Sequence, residues 1–149
     1  MMKSADDILY EISMYGFSNG VEGLNIYQRH LFYFDEFTIL VANGGGSGFI
    51  FNRSPVSSGE TEHEVYIESF RFFGFVEIAN DLEKYYEDYL DVVKKWIKNS
   101  KPDFEEMISR TDLEERRDTL SIRLEKLSRE PENVYKWMNE NLDKINLFN

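Results

Sequence analysis

From Leu31 to Ala42 only Asp35, Glu36 and Thr38 interrupt a run of aliphatic and aromatic residues, and the run ends abruptly at Asn43-Gly44-Gly45-Gly46. A segment apolar on nearly every side has to be surrounded, so the rest of the chain must wrap it. Asn25 is a good N-cap ahead of it, and glycine tolerates the positive φ of a C-terminal stop. The residues therefore predict a buried central helix over 25–42 followed by a glycine-rich turn. A rival reading exists: Phe37-Thr38-Ile39-Leu40-Val41 is β-rich, and Gly48-Phe49-Ile50-Phe51 could pair with it as a strand across the glycines. The length of the run and its capping signals favour helix. At 149 residues and 42% hydrophobic, the chain has enough apolar material to bury such a helix within one domain.

The flanking sequence predicts further helices. Ser4 caps a first one, with Ile8, Leu9, Ile12 and Tyr15 at helical spacing and Gly16 and Ser18-Asn19-Gly20 as its stop. Residues 53–59, with Pro55, read as a loop. Thr61 followed by Glu64 is a capping-box pattern that starts a third helix through Ile67, Phe70 and Arg71, closed by Gly74. A fourth, Val76 to Lys98, is the clearest element. Its Ile78, Leu82, Tyr85, Tyr89, Val92 and Trp96 mark an inward face, and Glu77, Asp81, Lys84, Asp88 and Lys95 lie opposite. Asp103 supplies a cap for residues 104–128, and Pro131 opens a last helix through Val134, Trp137, Met138, Leu142 and Ile145. The expected architecture is mainly α: a single-domain multi-helix bundle over residues 1–149, with a C-terminal helical part from about residue 103.

Charge is unevenly spread along this framework. The net charge is −11, with 17 Lys and Arg against 28 Asp and Glu. Residues 1–59 carry 6 acids and 3 bases, 60–91 carry 10 and 2, and 92–149 carry 12 and 12. A direct grip on nucleic-acid phosphates, which needs clustered basic charge, is disfavoured. On the fourth helix Glu77, Asp81, Glu83, Glu87, Asp88 and Asp91 fall on one polar arc, with Lys84 the only cation in that span. At about 1.5 Å rise per residue these acids repeat every ~3.5 Å, close to the ~3.4 Å charge spacing along one DNA strand. Glu60, Glu62, Glu64 and Glu68 extend the field. A solvated, solubilising helix face has the same composition, so charge alone leaves both readings open.

Catalytic and cofactor patterns are missing. With no cysteine there is no disulfide, thiolate metal site or thiol nucleophile. His30 and His63 have no metal-ligand spacing and are expected in surface or capping roles. Asp35 and Glu36 sit in the apolar run, where pairing with Arg29 or Arg53 would satisfy them; no second catalytic group is identifiable beside them. Gly44, Gly45, Gly46 and Gly48 lack the Lys-Ser/Thr of a phosphate-binding loop. The sequence therefore predicts no enzyme, no metal and no cofactor. The opening Met1-Met2-Lys3-Ser4-Ala5-Asp6-Asp7 has no basic-then-apolar leader, and no run of about 18 apolar residues occurs. A cytoplasmic protein without membrane contact is expected.

Three blocks, read together, resemble the DNA-mimic protein family of small acidic bacterial proteins. Gly20-Val21-Glu22-Gly23-Leu24-Asn25, leading through the apolar helix to Asn43-Gly44-Gly45-Gly46-Ser47-Gly48-Phe49-Ile50-Phe51-Asn52, is similar to the family's Asn-Gly-Gly, aromatic cluster and second Asn. Ile67 to Phe75, closing at Gly74, resembles the next block, and Leu113-Glu114-Glu115-Arg116-Arg117 with Val134-Tyr135 resembles the C-terminal part. Gly46 stands where the family usually has an aromatic, and Leu40 at an often acidic position. The resemblance implies a mainly helical fold in which Asn43, Gly44, Gly45, Phe49, Asn52 and Gly74 are structural, and a homodimer as one assembly. It also implies an acidic surface that occupies the DNA-binding face of a regulator.

A second likeness is to the immunity-type family that includes the yeast cell-wall regulator, an α+β fold. Asn19-Gly20, Leu24-Asn25-Ile26-Tyr27, the glycine turn and Val76-Glu77-Ile78-Ala79-Asn80-Asp81-Leu82 carry it, and the last fifty or so residues stay outside it. That likeness implies a partner that neutralises a basic toxin. Both readings expect a basic protein partner at the acidic residues.

Overall fold

A computed structural model describes residues 3–54, 62–99 and 103–146, and among these there are eight helices and no strand. The first, α1 (Ala5–Asn19), opens with a full capping box: the Asp7 amide donates to Ser4 Oγ at 3.2 Å, and the Ser4 amide donates to Asp7 Oδ2 at 3.3 Å. It runs past Gly16 and ends at Gly20, φ 81°. Gly16 is a crossing point instead, because a Cβ there would collide with the Phe32 ring of the next helix.

That next helix, α2 (Ile26–Asn52), is the predicted central one, capped reciprocally by Asn25 and Gln28. Leu31, Phe32, Phe34, Phe37 and Val41 are buried along it. The glycines form a kink in place of an open turn. Gly45 alone leaves helical geometry, at φ 72° and ψ 175°, and helical backbone resumes through Asn52. Phe37–Val41 and Gly48–Phe51 are both helical, so the strand pairing and the α+β alternative built on it are excluded. One reason lies downstream: Phe49 and Ile50, after the kink, are buried at 2% and 1% exposure and return the chain to the same core.

Helix α3 (Glu62–Phe72) buries Tyr66, Ile67 and Phe70 and gives way to Gly74 at φ 89°, as the sequence indicates. Glu60, Thr61 and most of the loop expected over 53–59 lie outside the described residues. Helix α4 spans Val76–Lys98, and its Ile78, Leu82 and Tyr85 are buried. Tyr86 is buried too, its hydroxyl donating to the Ile50 carbonyl at 3.0 Å. Then come α5 (Phe104–Ser109), capped by Asp103, and α6 (Leu113–Arg129). The expected last helix is broken at Asn141 into α7 (Glu132–Glu140) and α8 (Leu142–Ile145).

The core is aromatic. Phe34, Phe37, Phe49, Phe70 and Phe73 meet mostly edge to face, with Phe37 and Phe70 centroids 4.8 Å apart. The chain end is tied back to the start of α2: Asn25 Nδ2 and Gln28 Nε2 donate to the carbonyls of Lys144 and Ile145 at 2.9 and 3.1 Å. Asn25 and Gln28 thus cap one helix and fasten another.

Candidate functional site

The glycine block is held from across the core. The Gly46 amide, freed by the kink, donates to Glu125 Oε1 of α6 at 3.2 Å. A Cβ at Gly46 would lie 2.7 Å from Ser121 Cα, so α2 and α6 touch backbone to backbone. Asn43 and Asn52 are exposed and Gly44 has open space around it. Within this block the close-approach glycine is therefore Gly46, and nothing local to it in sequence could reveal that Ser121 would be its neighbour.

Among the described residues, Asp35 and Glu36 each accept from a hydroxyl. Ser13 Oγ donates to Asp35 Oδ2 at 2.5 Å, and the Tyr66 hydroxyl donates to Glu36. Burial pushes the Asp35 carboxyl above its ordinary value, and the Ser13 hydrogen bond opposes that only in part. Arg29 instead donates to the carbonyls of Leu24 and Glu22. A small cavity of about 140 Å³ beside Asp35 carries Thr38, Ser128 and Tyr135 among its lining residues, with no histidine and no second carboxylate.

The histidines are packed against aromatic rings. His30 stacks on Phe72 at 4.4 Å and 15°. Ser69 Oγ donates to the Val65 carbonyl at 2.9 Å, so His30 Nδ1, 3.1 Å from the same oxygen, is the donor to it. His63 sits edge-on to Tyr86. Burial holds both below the usual imidazole range, outweighing Glu68 beside His30 and Glu64 and Glu83 beside His63. Among the described residues no group of three or more His, Asp or Glu side chains could hold a metal ion.

The acidic arc of α4 divides in two. Asp81 pairs with Arg123 at 2.6 Å, Asp88 with Arg116 at 2.8 Å and Lys84 at 3.0 Å, and Glu83 with Arg71 of α3 at 3.1 Å. The hydrogen bonds from Lys84 and then Arg116 hold the Asp88 carboxyl below its ordinary value. Stepping seven residues forward on α4, from Asp81 to Asp88, moves the partner seven residues back on α6, from Arg123 to Arg116, so the two helices run antiparallel. The evenly charged C-terminal part of the sequence thus folds Arg116 and Arg123 onto the acidic stretch. Glu77, Glu87 and Asp91 are exposed and make no ion pair among the described residues, and Glu64 and Glu68 of α3 are exposed as well. Glu64 and Glu83 act together on His63, which brings the acids of α3 and α4 into one field. Glu60 and the side chain of Glu62 lie outside what is described.

Fold and surface define an all-helical acidic domain whose charge is partly clamped and partly free. The chain matches the family model for DMP19-like protein over residues 22–141 and belongs to that family, a DNA-mimic family. Helix α1 lies ahead of the matched region. No curated protein and no solved structure matches the chain. No described helix is long and apolar enough to cross a membrane.

Proposed function

We propose that this protein is a non-catalytic DNA mimic whose acidic surface binds a basic protein surface that otherwise holds DNA. The observation that carries the reading is the set of exposed acids without an ion pair among the described residues, Glu77, Glu87 and Asp91 on α4 with Glu64 and Glu68 on α3, on a chain of the DMP19-like family. The ion pairs of Asp81, Glu83 and Asp88 join α4 to its neighbours, which supports a rigid presentation of the free acids.

Steered association of this kind is fast at low salt and weakens as the Debye length falls from about 10 Å at 0.1 M to about 3 Å at 1 M. The test is charge reversal at Glu77, Glu87 and Asp91, read as retention of a purified basic partner at low salt. Loss of retention with an unchanged melting temperature supports the reading. Equal retention by the reversed variant makes the acids a solubility feature and overturns it.

A further inference from the structure

The small cavity beside Asp35, about 140 Å³, is lined from α1, α2, α7 and the last turn of α6. Four of its lining residues carry side-chain oxygens, Asp35, Thr38, Ser128 and Tyr135, and the rest, Leu9 and Phe34 among them, are apolar. All four are half-buried, so none is sealed from solvent.

These oxygens have no proton left to give. Thr38 Oγ1 donates to the Asp35 carbonyl at 2.7 Å and Ser128 Oγ to the Glu125 carbonyl at 2.9 Å. The Tyr135 hydroxyl donates to Asp6, and burial followed by that bond pushes its pKa up, so it stays protonated. Asp35 Oδ2 accepts from Ser13, while Oδ1 takes no hydrogen bond or ion pair among the described residues. Nor is Oδ1 one of the side-chain atoms buried without a partner; it keeps accessible surface. A carboxylate among apolar side chains with no cation beside it is costly, and burial already raises the Asp35 pKa.

The lining therefore asks for a positively charged group that donates several hydrogen bonds and accepts none. A primary ammonium has three donors and no acceptor. The apolar residues leave a place for a short alkyl stem, since a cavity of about 150 Å³ holds a group of benzene's size. We propose that this cavity binds a primary alkylammonium group of about four carbons, its N–H donors shared among Asp35 and the hydroxyl oxygens of Thr38, Ser128 and Tyr135. No lining residue belongs to α3 or α4, so the site stands or falls apart from the DNA-mimic reading.

The test is a set of thermal melts of the full chain near neutral pH, at matched ionic strength, with n-butylammonium, tetramethylammonium or sodium chloride, or with n-butanol. Tetramethylammonium carries the charge without N–H donors, and butanol the stem without the charge. A Kd of about 1 mM asks less of each non-hydrogen atom than the ceiling for very small ligands. About 10 mM n-butylammonium should then raise the melting temperature by roughly 3–6 °C over sodium chloride, and saturably. Tetramethylammonium and butanol should not. Asp35→Asn keeps an acceptor for Ser13 and removes the charge, so its melting temperature should not respond. Capped lysine amide, run alongside, separates the sources of such a group: a rise equal to that of n-butylammonium assigns the site to a lysine side chain, and no rise assigns it to a free amine. The absence of any n-butylammonium effect over sodium chloride overturns the site, as does an equal rise with tetramethylammonium or butanol. A response of Asp35→Asn equal to that of the wild type overturns it as well, and the wild-type series decides without any variant.

Discussion

The glycines at the kink of the central helix have separate jobs. Gly44 is helical with open space around it, so Gly44→Ala should stabilise by about 0.5–1 kcal/mol by restricting the unfolded chain. Gly46→Ala places a methyl 2.7 Å from Ser121 Cα and should cost about 1–3 kcal/mol, read as a lower melting temperature. Equal melting temperatures for the two variants would remove the α2–α6 contact as a determinant. Asp35 gives a second test at this scale. Its folded pKa is raised by burial, so the folded state holds its proton more tightly than the unfolded chain does. Stability from this group therefore rises as pH falls through the raised value towards the unfolded one near about 3.9, and at neutral pH the ionised carboxylate is a net cost. Asp35→Asn keeps an acceptor for Ser13 and should melt higher than wild type at pH 7, with the advantage narrowing on acidification. A lower melting temperature at pH 7 would mean that the charge itself is needed.

At the scale of elements, the bounds of α4 and its inward Ile78, Leu82 and Tyr85 follow from helical periodicity, while the expected inward Tyr89, Val92 and Trp96 are only half-buried. Burial of Tyr86 was not legible, because an apolar face read from one helix assumes one neighbour, and α4 has α3 on one side and α6 on another. The same limit hid the ion pairs, since Arg116 and Arg123 lie far along the chain from the acids they meet. Asp81 and Asp88 therefore differ from Glu77 and Asp91 as sites of charge reversal. Asp81→Lys with Asp88→Lys sets cation against cation along α6 and should lower the melting temperature. Glu77→Lys with Asp91→Lys should leave it nearly unchanged, because isolated exposed charges contribute little. Asp88 also predicts a pH dependence: its pKa is lowered by Lys84 and Arg116, so its contribution is present above the unfolded value near about 3.9 and is lost as pH falls through the lowered one. Asp88→Asn should flatten that part of the acid limb in a pH series of thermal melts.

For the whole molecule, the helical class was legible because a long apolar run with caps at its start can be buried only by a bundle. The kink at Gly45 was not, since a glycine cluster reads equally as a stop or a bend, and what decides is the burial of Phe49 and Ile50 beyond it. The candidate surface was legible as composition but not as geometry. Acid density along the chain overstates the free field, because folding pairs part of it, and only the exposed, unclamped acids can act on a partner. Competition with DNA tests that surface most directly. A purified basic DNA-binding protein retained by this chain at low salt should be released by added duplex DNA, in proportion to its affinity for that DNA, and should fail to bind the Glu77, Glu87 and Asp91 charge-reversed variant. A retained partner that duplex DNA does not displace, or that the reversed variant holds equally well, would contradict mimicry.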